Sequence, residues 1–368
     1  MPELGRNSVD ASGLPLQAWG HPNRHYAAGI NAGYGAKRRP GEQDAGHWAE
    51  ALEEASTGIR EVVERTYKQW NTILRDYLRS EMALRLTVGT DAQSVPVRVV
   101  GGMPLPFAEV MRRLEGLEWL LLNRPALVAA STGTQFMAKH ADAMCQVWGT
   151  EVGPAGRDEI ARVQKTAEAW LKKLDEAKAV EQIIGIHEDV LGAYFFRVPE
   201  IRLYWVVIGI TARALGISAE ALTVVVLAHE LAHAYTHLGR DIDSERWDTE
   251  RFAAADIGIV EGLAQFYTAV LCRRLEQRMP AAYKAYDELL AKQSGPYRAH
   301  VDWVGDHEQG GEIVRVSMIE CRSQGITGLE DFSKAIERYR RGIRGQRQNT
   351  TQRSQGVLFD KSDERGET

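Results

Sequence analysis

The chain has 368 residues, is 44 % hydrophobic and 26 % charged, and carries a formal net charge of -5. That length holds two or three domains and at least one large core, and the composition is that of an ordinary globular chain. The mildly acidic balance excludes a global pull toward nucleic acid or anionic membrane. The longest apolar stretch between charges, "LYWVVIGITA" from Leu203 to Ala212, is about half of what a membrane-spanning helix needs. Neither nucleic acid nor membrane is therefore expected as a partner. Cys145, Cys272 and Cys321 are far apart and odd in number, which does not make a disulfide framework. The first residues show no basic stretch leading into an apolar core. A cytoplasmic location is the expectation.

Residues 1–45 are rich in Gly, Asn, Pro and Arg and show no periodicity, as in a flexible arm. From His47 to about Leu86 apolar residues recur at helical steps, with Thr57-Gly58 as a break between two helices. "SVPVRVV", residues 94–100, alternates and is β-branched, so it predicts a strand. "GGMPLP" after it predicts a loop. Residues 107–123 and 157–184 are helical again, completing a mostly helical N-terminal region over 46–185. "LGAYFFRVPEIRLYWVVIGI", residues 191–210, predicts two strands turned at Val198-Pro199-Glu200. A helix of about twenty residues follows, with Ser218 as its N-cap and Gly239 as its stop. An amphipathic helix carrying Val260, Leu263, Tyr267 and Leu271 comes next, and "GLEDFSKAIERYRRGI" predicts the last one. Residues 344–368 are polar and predict a disordered tail. The fold class is α+β, predominantly helical.

One stretch does not suit burial. "VVVLAHELAHAYTH", Val224 to His237, is an apolar helix carrying His229, Glu230 and His233. Titratable groups in such a helix are costly without partners. His229 and His233 are four apart, one turn along the same face, so both imidazoles reach one ion. Zinc suits imidazole ligands and keeps a position open for water. Glu230 is rotated by about 100° from His229, which lets it act on that water as a general base without being a ligand. This is H-E-x-x-H with its mechanism attached.

A third ligand is needed. A glycine three residues after the second histidine would start one known solution, but Thr236 stands there. "HELAH" followed by "EGLAQFY" resembles the gluzincin metallopeptidases instead, over roughly Leu191 to Arg322. The resemblance implies a zincin-like catalytic domain over 186–343, with a small edge sheet and an active-site helix. It implies Glu261 as third ligand, with Asp241 and Glu245 of the intervening loop next in rank. Gly262 would let two helices pack closely. Gln265, one turn after Glu261, matches a position that orients a ligand histidine in related enzymes. Asp256 is a candidate for the same role and equally for a helix N-cap. "PYRAHVDWV" resembles the stretch whose tyrosine hydrogen-bonds the oxyanion, except that His300 stands where the pattern has glycine, so Tyr297 and His300 both remain candidates.

Other residues read more simply. His237 lies about 12 Å from His229 along the helix, too far to share an ion, and its place near the helix C-terminus favours a cation. His307 is a further histidine downstream. Arg315 could bind a substrate carbonyl, with a structural salt bridge as the commoner role. Cys145 reads as a buried thiol, and the basic run 338–347 as a solvated helix end. The reaction expected is zinc-dependent hydrolysis of a peptide bond in a protein or peptide substrate. The alternatives are a zincin-fold scaffold with a non-catalytic zinc and a hydrolase of a non-peptide amide. The sequence sets no oligomeric state.

Overall fold

The computed structural model describes residues 42–84, 86, 95–148, 153–186, 190–241, 244–293, 295–304 and 310–342. The described chain is mostly helical with little sheet, as the α+β expectation has it. Its contacts gather into two units. Among the described residues, one takes in those of 42–75, 95–231 and 271–293; the other takes in those of 76–86, 232–270 and 295–342. Each is assembled from segments distant in sequence. The expected tail at 344–368 and nearly all of the expected arm lie outside the described residues.

The first unit opens with β1 (Glu42–Asp44), α1 (His47–Ala55) and α2 (Ile59–Met82). The helices part at Gly58, whose φ of 78° ends the first and admits the second, as the Thr57-Gly58 break predicts. Strand β2 (Val97–Val100) lies where alternation placed it. The predicted loop after it contains a short strand instead, β3 (Gly102–Pro104), which pairs antiparallel with β1. Residues 42–44, assigned to the arm from composition, are therefore part of the fold. The single helix expected over 107–123 is two, α3 (Leu105–Arg113) and α4 (Glu118–Leu122), separated at Gly116 with φ 86°. A long helical pair, α5 (Arg124–Trp148) and α6 (Pro154–Glu176), follows, and then α7 (Ala179–Ile184), set off by left-handed Lys178.

Strands β4 (Gly192–Phe195) and β5 (Glu200–Tyr204) form the expected hairpin. In the three-stranded sheet β5 is central, parallel to β2 and antiparallel to β4, so β4 is an edge. The second strand ends sooner than its sequence predicts. Trp205–Leu215 is a helix, α8. Trp205 to Ala212 and Ala214 are buried, and an apolar run buried all round has no period that tells helix from strand. Gly209 lets this helix close on α1, since a Cβ there would lie 2.5 Å from Leu52 Cδ2. Arg213 then holds the ends of two neighbours, donating to Leu122 O at 2.6 Å and Ala55 O at 3.2 Å. Helix C-termini leave such carbonyls without partners of their own.

Helix α9 (Ala219–Leu238) begins in the first unit and ends in the second. The second unit continues with α10 (Thr249–Ala254), most of α11 (Ile257–Leu275), a 3₁₀ turn at Gly295–Arg298, α13 (Val301–Val304), α14 (Gly310–Gln324) and α15 over 329–342. Helix α12 (Pro280–Lys292) belongs to the first unit. No helix among the described residues is long and apolar enough to cross a membrane.

Candidate metal centre

Helix α9 is buried on every side, from Ala221 through His237. It starts and stops where the sequence expects. Ser218 Oγ accepts from Ala221 N at 3.4 Å, satisfying one of the first-turn donors. At the other end Gly239 N donates to Tyr235 O at 2.8 Å. A Cβ on residue 239 would sit 2.4 Å from Tyr235 O and 2.9 Å from Leu84 Cβ, so only glycine fits this exit. Two arginines of α14 hold the same end. Arg322 Nη1 donates to Gly239 O at 3.0 Å. Arg315 makes a two-point pair with Asp241, Nε to Oδ2 at 2.8 Å and Nη2 to Oδ1 at 2.5 Å.

Because α9 is an uninterrupted helix, His229 and His233 are one turn apart by its own geometry. Helix α11 brings the third group. Residues 258–269 of α11 are buried all round, rather than on the one face that its sequence predicts. Glu261 Oε2 is 3.4 Å from His233 Nε2, with the side chains 1 % and 3 % exposed. One ligand atom from each of His229, His233 and Glu261 lies within 4.8 Å of the others. Two imidazoles and a carboxylate, gathered in the dry interior, could hold a metal ion. The donor set suits a cation on chemical grounds, since imidazole nitrogens and a carboxylate oxygen are ordinary ligands of divalent transition metals. Among the described residues this is the group of such ligands that converges.

The loop alternatives do not converge on it in this way. The Asp241 side chain is 1 % exposed and bound by Arg315, so Arg315 is a salt-bridge residue. Glu245 is exposed. Asp256 caps α11, its Oδ1 accepting from Gly258 N at 2.7 Å, which is the second of the two roles its sequence allows. Gln265 is buried and 6 % exposed, so it does not face solvent. His237 is no cation. Its ring stacks on Phe252 at 4.6 Å between centroids, and its Nε2 lies 3.2 Å from Thr249 Oγ1. Burial pushes its pKa down to about 3; Arg246 adds to the fall and Asp248 opposes it. The helix-end preference for positive charge is weaker than that loss of solvation.

Glu230 is 2 % exposed and points toward the edge strand. At Gly192 on β4 an ideal Cβ would lie 2.9 Å from both Cγ and Oε1 of Glu230, and 2.8 Å from Val226 Cγ1. Strand backbone thus runs against the carboxylate with no side chain between. Gly192 lies outside the H-E-x-x-H motif and the residues grouped with it. A glycine opening an otherwise aromatic and aliphatic strand was the available signal, because glycine in a strand marks a close approach.

Tyr297 sits in the 3₁₀ turn and His300 just before α13, both buried. Their segment packs beside Glu261. A Cβ on Gly262 would lie 2.5 Å from Trp303 Cη2 and 3.3 Å from Ala299 Cβ, so the close packing expected of Gly262 is made with the segment 299–303. The Cys145 side chain and His307 lie outside the described residues. Within the described part of the basic run, Arg338 pairs with Glu320 and Arg341 with Glu337, both arginines exposed as expected, whereas Arg340 is partly buried and donates to Asp302 O and Trp303 O besides pairing with Glu337; residues 343–347 lie outside the described residues.

In comparisons with known protein families, with curated proteins and with solved structures, nothing matches this chain.

Proposed function

We propose that this protein is a zinc-dependent peptide hydrolase of gluzincin type, an endopeptidase acting on a protein substrate. The observation that carries the reading is the Glu230 carboxylate, buried next in sequence to a ligand histidine and lying against an edge strand. A site that only holds an ion has no use for a further carboxylate there. The three donors lie within 4.8 Å of one another, and the spacing of one pair is compatible with zinc. Two donors about 2.0–2.1 Å from a tetrahedral zinc stand about 3.3 Å apart, against 3.4 Å between His233 Nε2 and Glu261 Oε2.

In this reading His229 and His233 ligate through their imidazoles and Glu261 through its carboxylate. Zinc, when bound, supplies a Lewis acid that polarises a carbonyl and makes water a stronger acid. Glu230 takes the proton from the attacking water and then gives it to the leaving amine. Burial around α9 and α11 keeps bulk water from the proton as it moves. Strand β4 offers an extended backbone beside Glu230 along which a peptide can lie. Tyr297 or His300 donates a hydrogen bond to the oxygen on which charge develops, a contact worth ~10²–10³ in kcat.

The test joins metal analysis with one isosteric variant. Purified protein given zinc should hold about one ion per chain. His229→Ala, His233→Ala and Glu261→Ala should lose it, while Glu245→Ala keeps it. Glu230→Gln should keep zinc and fold, and should lose every new protein terminus that wild type creates in a host proteome. Identical termini from the two, with zinc bound in both, would favour the scaffold reading. Zinc retained in Glu261→Ala would overturn the ligand set.

A further inference from the structure

We infer that Gly192 is a positioning residue for Glu230: the missing side chain on β4 is the slot in which the Glu230 carboxylate lies. The inference rests on Glu230 acting as the proposed general base, and it adds a residue that H-E-x-x-H does not contain. Three facts carry it. The site of a Cβ on residue 192 falls 2.9 Å from Glu230 Oε1, 2.9 Å from its Cγ and 2.8 Å from Val226 Cγ1. Glu230 is 2 % exposed, so its carboxylate cannot swing into solvent to make room. The backbone at residue 192 is held as well, since Gly192 pairs with Leu203 of β5 and Tyr204 N donates to Leu191 O at 3.0 Å.

The consequence of adding one methyl group follows from what can move. The sheet holds the strand, and α9 is buried on all sides. Val226 has a stiff χ1. The Glu230 side chain, with three rotatable bonds, is what yields. Its carboxylate is pushed off the position it holds against β4, and a displacement of about 1 Å at a reacting group costs on the order of 10² in rate. Gly192 is therefore needed for where the base stands, whereas the metal ligands are held by α9 and α11.

The experiment uses full-length protein with zinc supplied, and takes Val226→Ala as the reference so that the stiff contact is absent. Adding Gly192→Ala should leave zinc stoichiometry unchanged and KM on a peptide released by wild type within a few fold. It should lower kcat by on the order of 10². Unchanged kcat would overturn the inference. A second arm needs no activity. Gly192→Ala should lower the urea midpoint of the reference chain and recover most of that loss in a Glu230→Ala background, where Cγ and the carboxylate are gone. An equal loss in both backgrounds overturns the inference. Coupling in this arm with no hydrolysis by wild type would place the failure in the proposed activity, with Gly192 still setting Glu230.

Discussion

At the scale of single residues, burial decides charge. His237 continues the four-residue spacing of His229 and His233, yet it ends against Phe252 and Thr249 as a neutral ring, with burial pushing its pKa down from the ordinary 6.5 to about 3. The sign of the pH effect follows. Above about pH 6.5 the ring is neutral in both folded and unfolded chains and costs nothing. As pH falls from there toward 3 the unfolded chain takes a proton that the folded chain refuses, so stability is lost through that window. The loss approaches 1.4 kcal/mol per pH unit at most. His237→Gln should remove this slope. Urea midpoints of wild type and variant at pH 7 and pH 5, with chelator present, should differ more for wild type; equal slopes would show that His237 is protonated in the fold.

At the scale of elements, the helix that carries His229 and His233 is capped at its start by the adjacent Ser218 and held at its exit by partners from elsewhere in the chain. Its exit is gripped by α14 through Arg315 on Asp241 and Arg322 on Gly239 O. Arg315→Met would strand the Asp241 carboxylate, whose side chain is 1 % exposed. Breaking a buried pair from one side costs ~3–5 kcal/mol, and the 18 % exposure of Arg315 puts the expected loss toward the lower end. Chemical denaturation checks it: Arg315→Met with Asp241→Asn should recover part of the loss, and no recovery would mean that the pair does not carry the effect. Helix α11 has its own constraint. Gly262→Ala would drive a methyl into the Trp303 indole at 2.5 Å. Overpacking of this kind costs ~1–3 kcal/mol, and zinc affinity should fall with it because Glu261 is the adjacent residue. Calorimetric zinc titration of the variant reads this directly; an affinity equal to wild type would separate the 299–303 segment from the site.

At the scale of the whole molecule, a ligand set drawn from two helices would tie folding to metal in the proposed reading. An ion that binds only the folded chain adds about 2.7 kcal/mol at a hundred times its Kd. Chelation should therefore lower the Tm of wild type and leave His233→Ala unmoved; a wild type indifferent to both chelator and zinc would end the metal reading. What the sequence determined by itself is local. The placing of His229, Glu230 and His233 on one helix follows from 3.6 residues per turn, and its limits follow from Ser218 and Gly239. The hairpin before it was legible from turn and strand residues at 191–204. What only the tertiary structure decided is long-range. That Glu261 meets the histidines, while Asp241 is taken by Arg315 and Glu245 faces solvent, depends on how α9 and α11 pack, and spacing along the chain does not encode a packing. The helix at Trp205–Leu215 and the all-round burial of α11 were hidden for a related reason: periodicity reports a boundary between core and water, and a segment surrounded by protein has no such boundary to report. At Gly192 the sequence offers only the general signal of a glycine in a strand; that the space it leaves meets Glu230 is decided by packing.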